Sequence, residues 1–205
     1  MKLRLAVIFY DLILKIYYFF IRISASLEHE KAKLWMNGRE NWKLNIEKIT
    51  RNEKKWIWCH CASLGEYEMI KPLLKKMKDR WPDKKILLSF FSPSGFENLS
   101  IKEGFDEKCY LPLDNIDSAR YWVNKFHPEV VIFVKYELWY HYLNQLKKIN
   151  SRIYLVNAQW NSESIFFKKH GFLHNKMLKK FDHIFVNNET SLELGKILVD
   201  KLKIS

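Results

Sequence analysis

The chain has 205 residues, of which only 6 are glycine, 5 proline and 3 cysteine. So little glycine and proline excludes collagen-like, linker-like and low-complexity architectures. Three cysteines cannot build a disulfide framework in a chain of this length, and they fit a reducing, cytosolic compartment. Neither G-x-G-x-x-G nor G-x-x-x-x-G-K-[ST] occurs, so dinucleotide and P-loop readings lack their fingerprint. No apolar run reaches the roughly 18 residues of a confident spanning helix, because charge interrupts each one. No small-residue cleavage site follows the greasy N-terminus, which argues against a removed signal peptide.

What is present is a core-forming composition, 48% hydrophobic and 28% charged, with 35 basic against 23 acidic side chains and a net charge of +12. That excess points to an anionic partner: nucleic acid, an acidic membrane surface or a phosphorylated substrate. Its placement helps to choose. Residues 1–58 hold 12 basic and 6 acidic side chains, half of the surplus, in the most apolar part of the chain.

Residues 1–24 read as one helix. At 100° per residue, Arg4, Asp11, Lys15 and Arg22 fall within roughly 40° of one another, and Leu, Ile, Val, Phe and Tyr fill the rest of the surface. This pattern predicts a monotopic helix lying in a bilayer interface, its cations near anionic head groups and Tyr17 to Phe20 at the boundary. The plainer alternative is a core helix whose polar stripe faces water. Residues 25–55 form a basic connector with Trp35 and Trp42.

From Trp56 onward, short apolar runs alternate with helical spacing. Strands are expected at 56–61, 85–91, 107–111, 129–134, 152–157 and 183–187, each rich in β-branched or aromatic residues. Met69, Leu73, Leu74 and Met77 give a helical stripe after the first strand, and Leu138, Tyr142, Leu146 and Ile149 another after the fourth. Six repeats of strand and helix predict an α/β fold: a Rossmann-like parallel sheet over 56–205 with helices on both faces. Ligands in such folds bind beyond the carboxyl ends of the strands. The segments there are Ala62-Ser63-Leu64-Gly65-Glu66, Ser92-Pro93-Ser94-Gly95, Lys135-Tyr136-Glu137-Leu138-Trp139 and Asn157-Ala158-Gln159. Ser63 with Glu66, and Ser94 with Glu97, also match the capping box S-x-x-E, whose bland meaning is a helix start.

These segments resemble a known family. W-C-H-C-A-S-L-G-E (58–66), F-S-P-S-G (91–95) and E-L-W (137–139), in register with the strands, are similar to the N-terminal half of the Kdo transferases of lipopolysaccharide biosynthesis. Those enzymes transfer 3-deoxy-D-manno-octulosonic acid from its CMP ester to lipid A precursor. The resemblance implies a GT-B architecture in which this chain is the acceptor half, with the CMP-Kdo site in a C-terminal domain it lacks. It also implies an inverting transfer that needs no metal or other cofactor, at the cytoplasmic face of the inner membrane, with no nucleic-acid partner. Glu66 matches the family's base. Ser63, Gly65, Ser94, Gly95 and Glu137 match positions expected to shape the acceptor site, and the helix start at Glu66 is expected to favour its ionised form. Lys31, Lys33, Arg39 and Lys71 are candidate phosphate contacts. Lys135 and Gln159 stand where many members have Glu and Arg.

The rival expectation is a non-catalytic, membrane-associated half-enzyme or binding module needing a separate C-terminal partner. A nucleic-acid platform is disfavoured because the aromatics are not interleaved with cations. A zinc site at Cys59-His60-Cys61 is disfavoured because strand alternation turns His60 away from both thiols.

Overall fold

A computed structural model describes residues 1–50, 56–99, 103–168, 170–200 and 203–205. The tail of the expected connector, 51–55, lies outside the described residues. Six runs of β-branched and aromatic residues form strands β1 (Trp56–Cys61), β2 (Lys85–Phe90), β3 (Glu107–Tyr110), β4 (Val130–Val134), β5 (Arg152–Ala158) and β6 (His183–Val186). They lie in the order β3-β2-β1-β4-β5-β6, and every neighbouring pair is parallel. The order reverses between β1 and β4. In open α/β sheets such a reversal is where the connecting segments part to opposite faces and a crevice forms past the carboxyl ends of the strands.

The alternation of β1 divides the core. Trp56 and Trp58 join Leu87, Val131 and Phe133 on one face, and Ile57, Cys59 and Cys61 join Ile86, Leu88 and Ile132 on the other. Helices α6 (Ile116–Phe126), α7 (Tyr140–Lys148) and α8 (Phe172–Leu178) cover the first face, and α4 (Leu64–Arg80) the second. Helices α5 (Pro93–Glu97) and α9 (Glu189–Leu198) complete the described α/β body. On α4 the buried face is Tyr67, Ile70, Leu74 and Met77, while Met69 and Leu73 are exposed. Leu74 and Met77 of the expected stripe are thus buried, while Tyr67 and Ile70 take the inward places expected of Met69 and Leu73. On α7, Tyr142 and Leu146 are buried as expected; Leu138 precedes the helix and, with Ile149, only flanks the core.

The N-terminal region is helical throughout its described length: α1 (Lys2–Ser26), α2 (Glu30–Glu40) and α3 (Trp42–Thr50). What the sequence suggests is a connector is in fact a pair of packed helices, with Ala32, Trp35, Arg39 and Ile46 buried. Among the described residues, helix α1 has no buried residue. It leans on the body through Ala6, Val7 and Tyr10. Asp11, one member of the charged stripe, turns inward to pair with His141 at 2.7 Å.

Asp114 is the polar anchor of this contact. It is 1% exposed and accepts hydrogen bonds from Tyr10 Oη (2.6 Å) and from the backbone N–H groups of His141 (3.0 Å) and Tyr142 (3.1 Å). One carboxylate thus caps the start of α7 and fastens α1 to it. Asp114→Ala orphans three donors at once and is expected to cost about 3 kcal/mol. A urea unfolding series reads this directly; a loss below about 1 kcal/mol, the scale of one ordinary net bond, would show that the anchor contributes little.

Candidate functional site

The crevice between β1 and β4 receives two carboxylates. Glu66 sits in the first turn of α4, directly after β1, and Glu137 in the turn after β4. Glu66 does not complete a capping box. Ser63 is the N-cap residue but its hydroxyl makes no capping bond, whereas the Ala62 N–H donates to Glu66 Oε2 at 2.5 Å. Burial pushes the Glu66 carboxyl up to about 7; the Ala62 N–H opposes that, Glu137 adds to it, and Lys135 opposes it again. The helix start does not hold Glu66 in the ordinary ionised range, because desolvation outweighs the favourable N-terminal field. A carboxylate whose proton affinity lies near neutrality is suited to take a proton from a hydroxyl.

Glu137 is flanked by two ring nitrogens. Trp139 Nε1 donates to its Oε2 at 2.9 Å, and His60 Nε2 lies 3.1 Å from the same oxygen. The turn that presents it is tight, with the Glu137 N–H bonded to Val134 O at 3.3 Å. Lys135, the first residue of that turn, has φ 58°, a left-handed conformation that a lysine adopts at a cost of about 1 kcal/mol or more. The Lys135 N–H donates to Val156 O at 2.9 Å, so β5 holds the strained residue in place.

Around the carboxylates the expected site residues divide. Ser63 borders the crevice, and Gly65 is exposed in the first turn of α4, where an added Cβ would meet only Ser63 Oγ, at 4.0 Å. Ser94 is exposed near the end of β2, but the helix start there is Ser92, whose Oγ accepts from the Ser94 N–H at 3.3 Å. The S-x-x-E match at Ser94 is therefore no capping box; Glu97 instead accepts from Tyr110 Oη at 2.9 Å. Gly95 is buried, and a Cβ on it would come within 2.1 Å of the Phe90 ring. Its smallness seats α5 on β2. The two glycines thus give opposite predictions. Gly95→Ala is expected to destabilise by about 1–3 kcal/mol through overpacking. Gly65→Ala, with open space at a helical position, is expected to gain about 0.5–1 kcal/mol. Paired thermal melts check both, and equal shifts would contradict this division.

The candidate phosphate contacts are mostly engaged elsewhere. Lys33 pairs with Glu28, and Lys71 with Glu103 at 2.8 Å. Arg39 is buried: it donates to the carbonyls of Leu111 (2.9 Å), Trp35 (3.2 Å) and Phe91 (2.6 Å), and its guanidinium lies 3.9 Å from the Trp35 ring centre. It ties α2 to the ends of β2 and β3. Burial lowers its pKa to about 9. A cavity of about 620 Å³, lined by Tyr18, Trp35, Arg39, Trp42 and Asn115, lies beside this stack rather than at the carboxylates. Gln159 accepts from Asn187 Nδ2 at 3.3 Å. Cys59 and Cys61 face the α4 side of the sheet and His60 the other, and among the described residues no three His, Cys, Asp or Glu side chains converge as a metal site would require.

Sequence reasoning missed His60 and Ser89 as parts of the site. One signal was available: Ser89 is the lone polar residue in the run Ile86-Leu87-Leu88-Ser89-Phe90, and a buried hydroxyl needs a partner. That the partner is His60 depends on strand register, which pairs His60 with Ser89 across β1 and β2.

Residues 39–202 match the family model of 3-deoxy-D-manno-octulosonic-acid transferase (kdotransferase). Over 169 residues the chain is 31% identical to a bifunctional glycosyltransferase/methyltransferase of Fusobacterium nucleatum, covering 80% of this chain and 26% of that one. Over 185 residues it is 28% identical to a 3-deoxy-D-manno-octulosonic acid transferase of Rickettsia bellii, covering 89% of this chain and 43% of that one. The chain thus spans less than half the length of either relative. In fold it is similar to the crystal structure of a putative UDP-N-acetylglucosamine 2-epimerase from Listeria monocytogenes, with a TM-score of 0.51 at 14% identity over 74% of this chain and 44% of that one.

Proposed function

Because the chain belongs to the 3-deoxy-D-manno-octulosonic-acid (Kdo) transferase family, we propose that it is the acceptor-binding half of a glycosyltransferase that moves Kdo from CMP-Kdo to a lipid A precursor. The observation that carries this reading is Glu66: a half-buried carboxylate, raised to about 7, at the reversal point of a parallel sheet. An acceptor hydroxyl attacks the anomeric carbon of Kdo from the face opposite the phosphate. Its proton passes to Glu66 as the new glycosidic bond forms, and the anomeric C–O bond to phosphate breaks to release CMP, inverting the centre. Glu137, Ser63, Gly65 and Ser94 border the acceptor hydroxyls. CMP departs as a stable phosphate monoester, so the reading calls on no metal. The donor is held by the part of the relatives' length that this chain does not span.

The site also lies next to α1. Tyr17 on that helix stacks on Phe91 (6.0 Å between centroids), Phe91 packs on Trp139 (4.9 Å), and Trp139 bonds Glu137. A helix in the inner-membrane interface would thus bring the crevice to a lipid-borne acceptor at the cytoplasmic face. The test is Kdo transfer from CMP-Kdo to a lipid IVA-type acceptor, with the chain alone and with a separately expressed nucleotide-sugar half. Activity in the mixture supports the reading. Absence of transfer in the mixture, with acceptor binding intact, overturns it in favour of a non-catalytic binding module.

A further inference from the structure

His60 is 0% exposed at the heart of the sheet, on the strand beside the reversal point. The groups facing it are few. Ser89 Oγ on β2 lies 2.8 Å from Nδ1, and Glu137 Oε2 after β4 lies 3.1 Å from Nε2. The Trp58, Phe133 and Trp139 rings enclose it at 6.4, 5.9 and 6.1 Å between centroids. Donor and acceptor rules fix the protons. An ionised carboxylate only accepts, so Nε2 carries a hydrogen and donates it to Glu137. Trp58 Nε1 only donates, and it spends its hydrogen on Ser89 Oγ at 2.7 Å. The Ser89 hydroxyl is then free to donate to Nδ1, which aligns one chain from Trp58 through Ser89 and His60 to Glu137.

We propose that His60 is a positioning residue of the transfer site: its Nε2–H, oriented by Ser89 and Trp58, holds the Glu137 carboxylate in the crevice beside Glu66. An ordinary buried histidine satisfies both nitrogens inside the core; here the outward nitrogen is committed to a carboxylate that reaches solvent, with 15% of its side chain exposed. The role rests on reading Glu66 and Glu137 as transfer-site carboxylates. It acts through charge. Glu66 is faced by Glu137 and Lys135 from the β4–α7 turn, by the Ala62 N–H and by the buried Cys61 thiol, and Glu137 is the carboxylate that raises it. Without His60 only Trp139 Nε1 still holds that oxygen, so Glu137 is freer to turn toward water and its hold on Glu66 weakens.

The test uses the full chain, without donor or acceptor. Long-range proton–nitrogen spectra of histidine-labelled protein should show His60 protonated at Nε2; a ring protonated at Nδ1 alone overturns the proposal without any variant. Carboxyl-labelled glutamate then reports the Glu66 titration. His60→Leu should lower its midpoint by about half a unit to one unit, and His60→Gln, which keeps an N–H donor, should restore part of that. In a Glu137→Gln background His60→Leu should add nothing. An unchanged midpoint, or the same shift without Glu137, would show a packing role only. Should His60→Leu fail to fold, Ser89→Ala serves instead: it removes the hydroxyl that donates to Nδ1, so the Nδ1 signal should shift while Nε2 keeps its hydrogen, and an unchanged Nδ1 signal would count against the chain of donors. None of these readouts involves transfer, so an intact His60–Glu137–Glu66 coupling beside an inactive reconstituted enzyme would fault the transferase reading and leave the positioning geometry standing.

Discussion

Glu66→Gln is expected to reduce Kdo transfer in the reconstituted assay by roughly 10²–10⁴-fold, the usual contribution of a positioned general base. The amide keeps the size of the side chain and cannot take the proton. In the parent, transfer should fall about tenfold per pH unit below the midpoint of about 7, because the fraction of ionised base falls at that rate. The glutamine variant should lose that acid limb. A variant with parent-like rates, or an unchanged acid limb, removes Glu66 from the role of base.

The same raised carboxyl makes a prediction about stability, with its sign set by proton linkage. The unfolded chain releases the Glu66 proton near the ordinary carboxylate value of 4.5, and the folded chain only near 7. Between those values the folded state binds more protons, so stability falls as pH rises through the window and the loss is complete above it. Glu66→Gln should therefore gain stability relative to the parent on going from pH 4.5 to 8. Solvent screening at a partly exposed site holds the gain to about 1–2 kcal/mol. The protein keeps at its site a group that its fold would be more stable without, as a functional carboxylate does.

Much of this site was legible because it follows from strand ends. All six strands could be read from β-branched and aromatic runs, and six strand–helix repeats dictate a parallel sheet whose loops converge past the carboxyl ends. Glu66 and Glu137 are separated by 71 positions in the chain (137 minus 66), and only the reversal of strand order between β1 and β4 brings them together. What could not be read depends on register and on local competition. S-x-x-E at Ser63 spells a capping box, yet the carboxylate bonds Ala62, one residue before the cap. Gly95 reads as a cleft glycine until the Phe90 ring is found against its α-carbon. The helix start at Glu66 suggests an easily ionised acid, whereas burial, which sequence does not give, decides the sign. Arg39 reads as a candidate phosphate contact and proves to be a bolt through three carbonyls.

Replacing Phe9, Ile16 and Phe20 together with serine is expected to weaken association with anionic lipid vesicles by about 10³-fold or more, at roughly 1.5 kcal/mol or above per buried side chain. The three lie on the outer face of α1, exposed by 63%, 47% and 62%. With Leu5, Ile8, Leu12, Ile13, Phe19 and Ile23, which are also exposed, they form an apolar band over roughly 140° of the helix at 100° per residue. Arg4, Lys15 and Arg22 run along one margin of that band, while the opposite side carries Ala6, Val7 and Tyr10 against the body. Among the described residues no helix is long and apolar enough to cross a membrane. The prediction takes α1 to lie in the interface, apolar face in the acyl boundary and cations at the head groups. Changing Arg4, Lys15 and Arg22 to glutamine should cost about 1 kcal/mol each on anionic vesicles, roughly 10²-fold together, and little on zwitterionic ones. Neither set touches the Tyr10–Asp114 anchor, so melting temperatures should hold. Vesicle flotation across the two lipid compositions separates the terms. Failure to float, with the serine variant instead abolishing a dimer, would assign the band to a second copy of the chain.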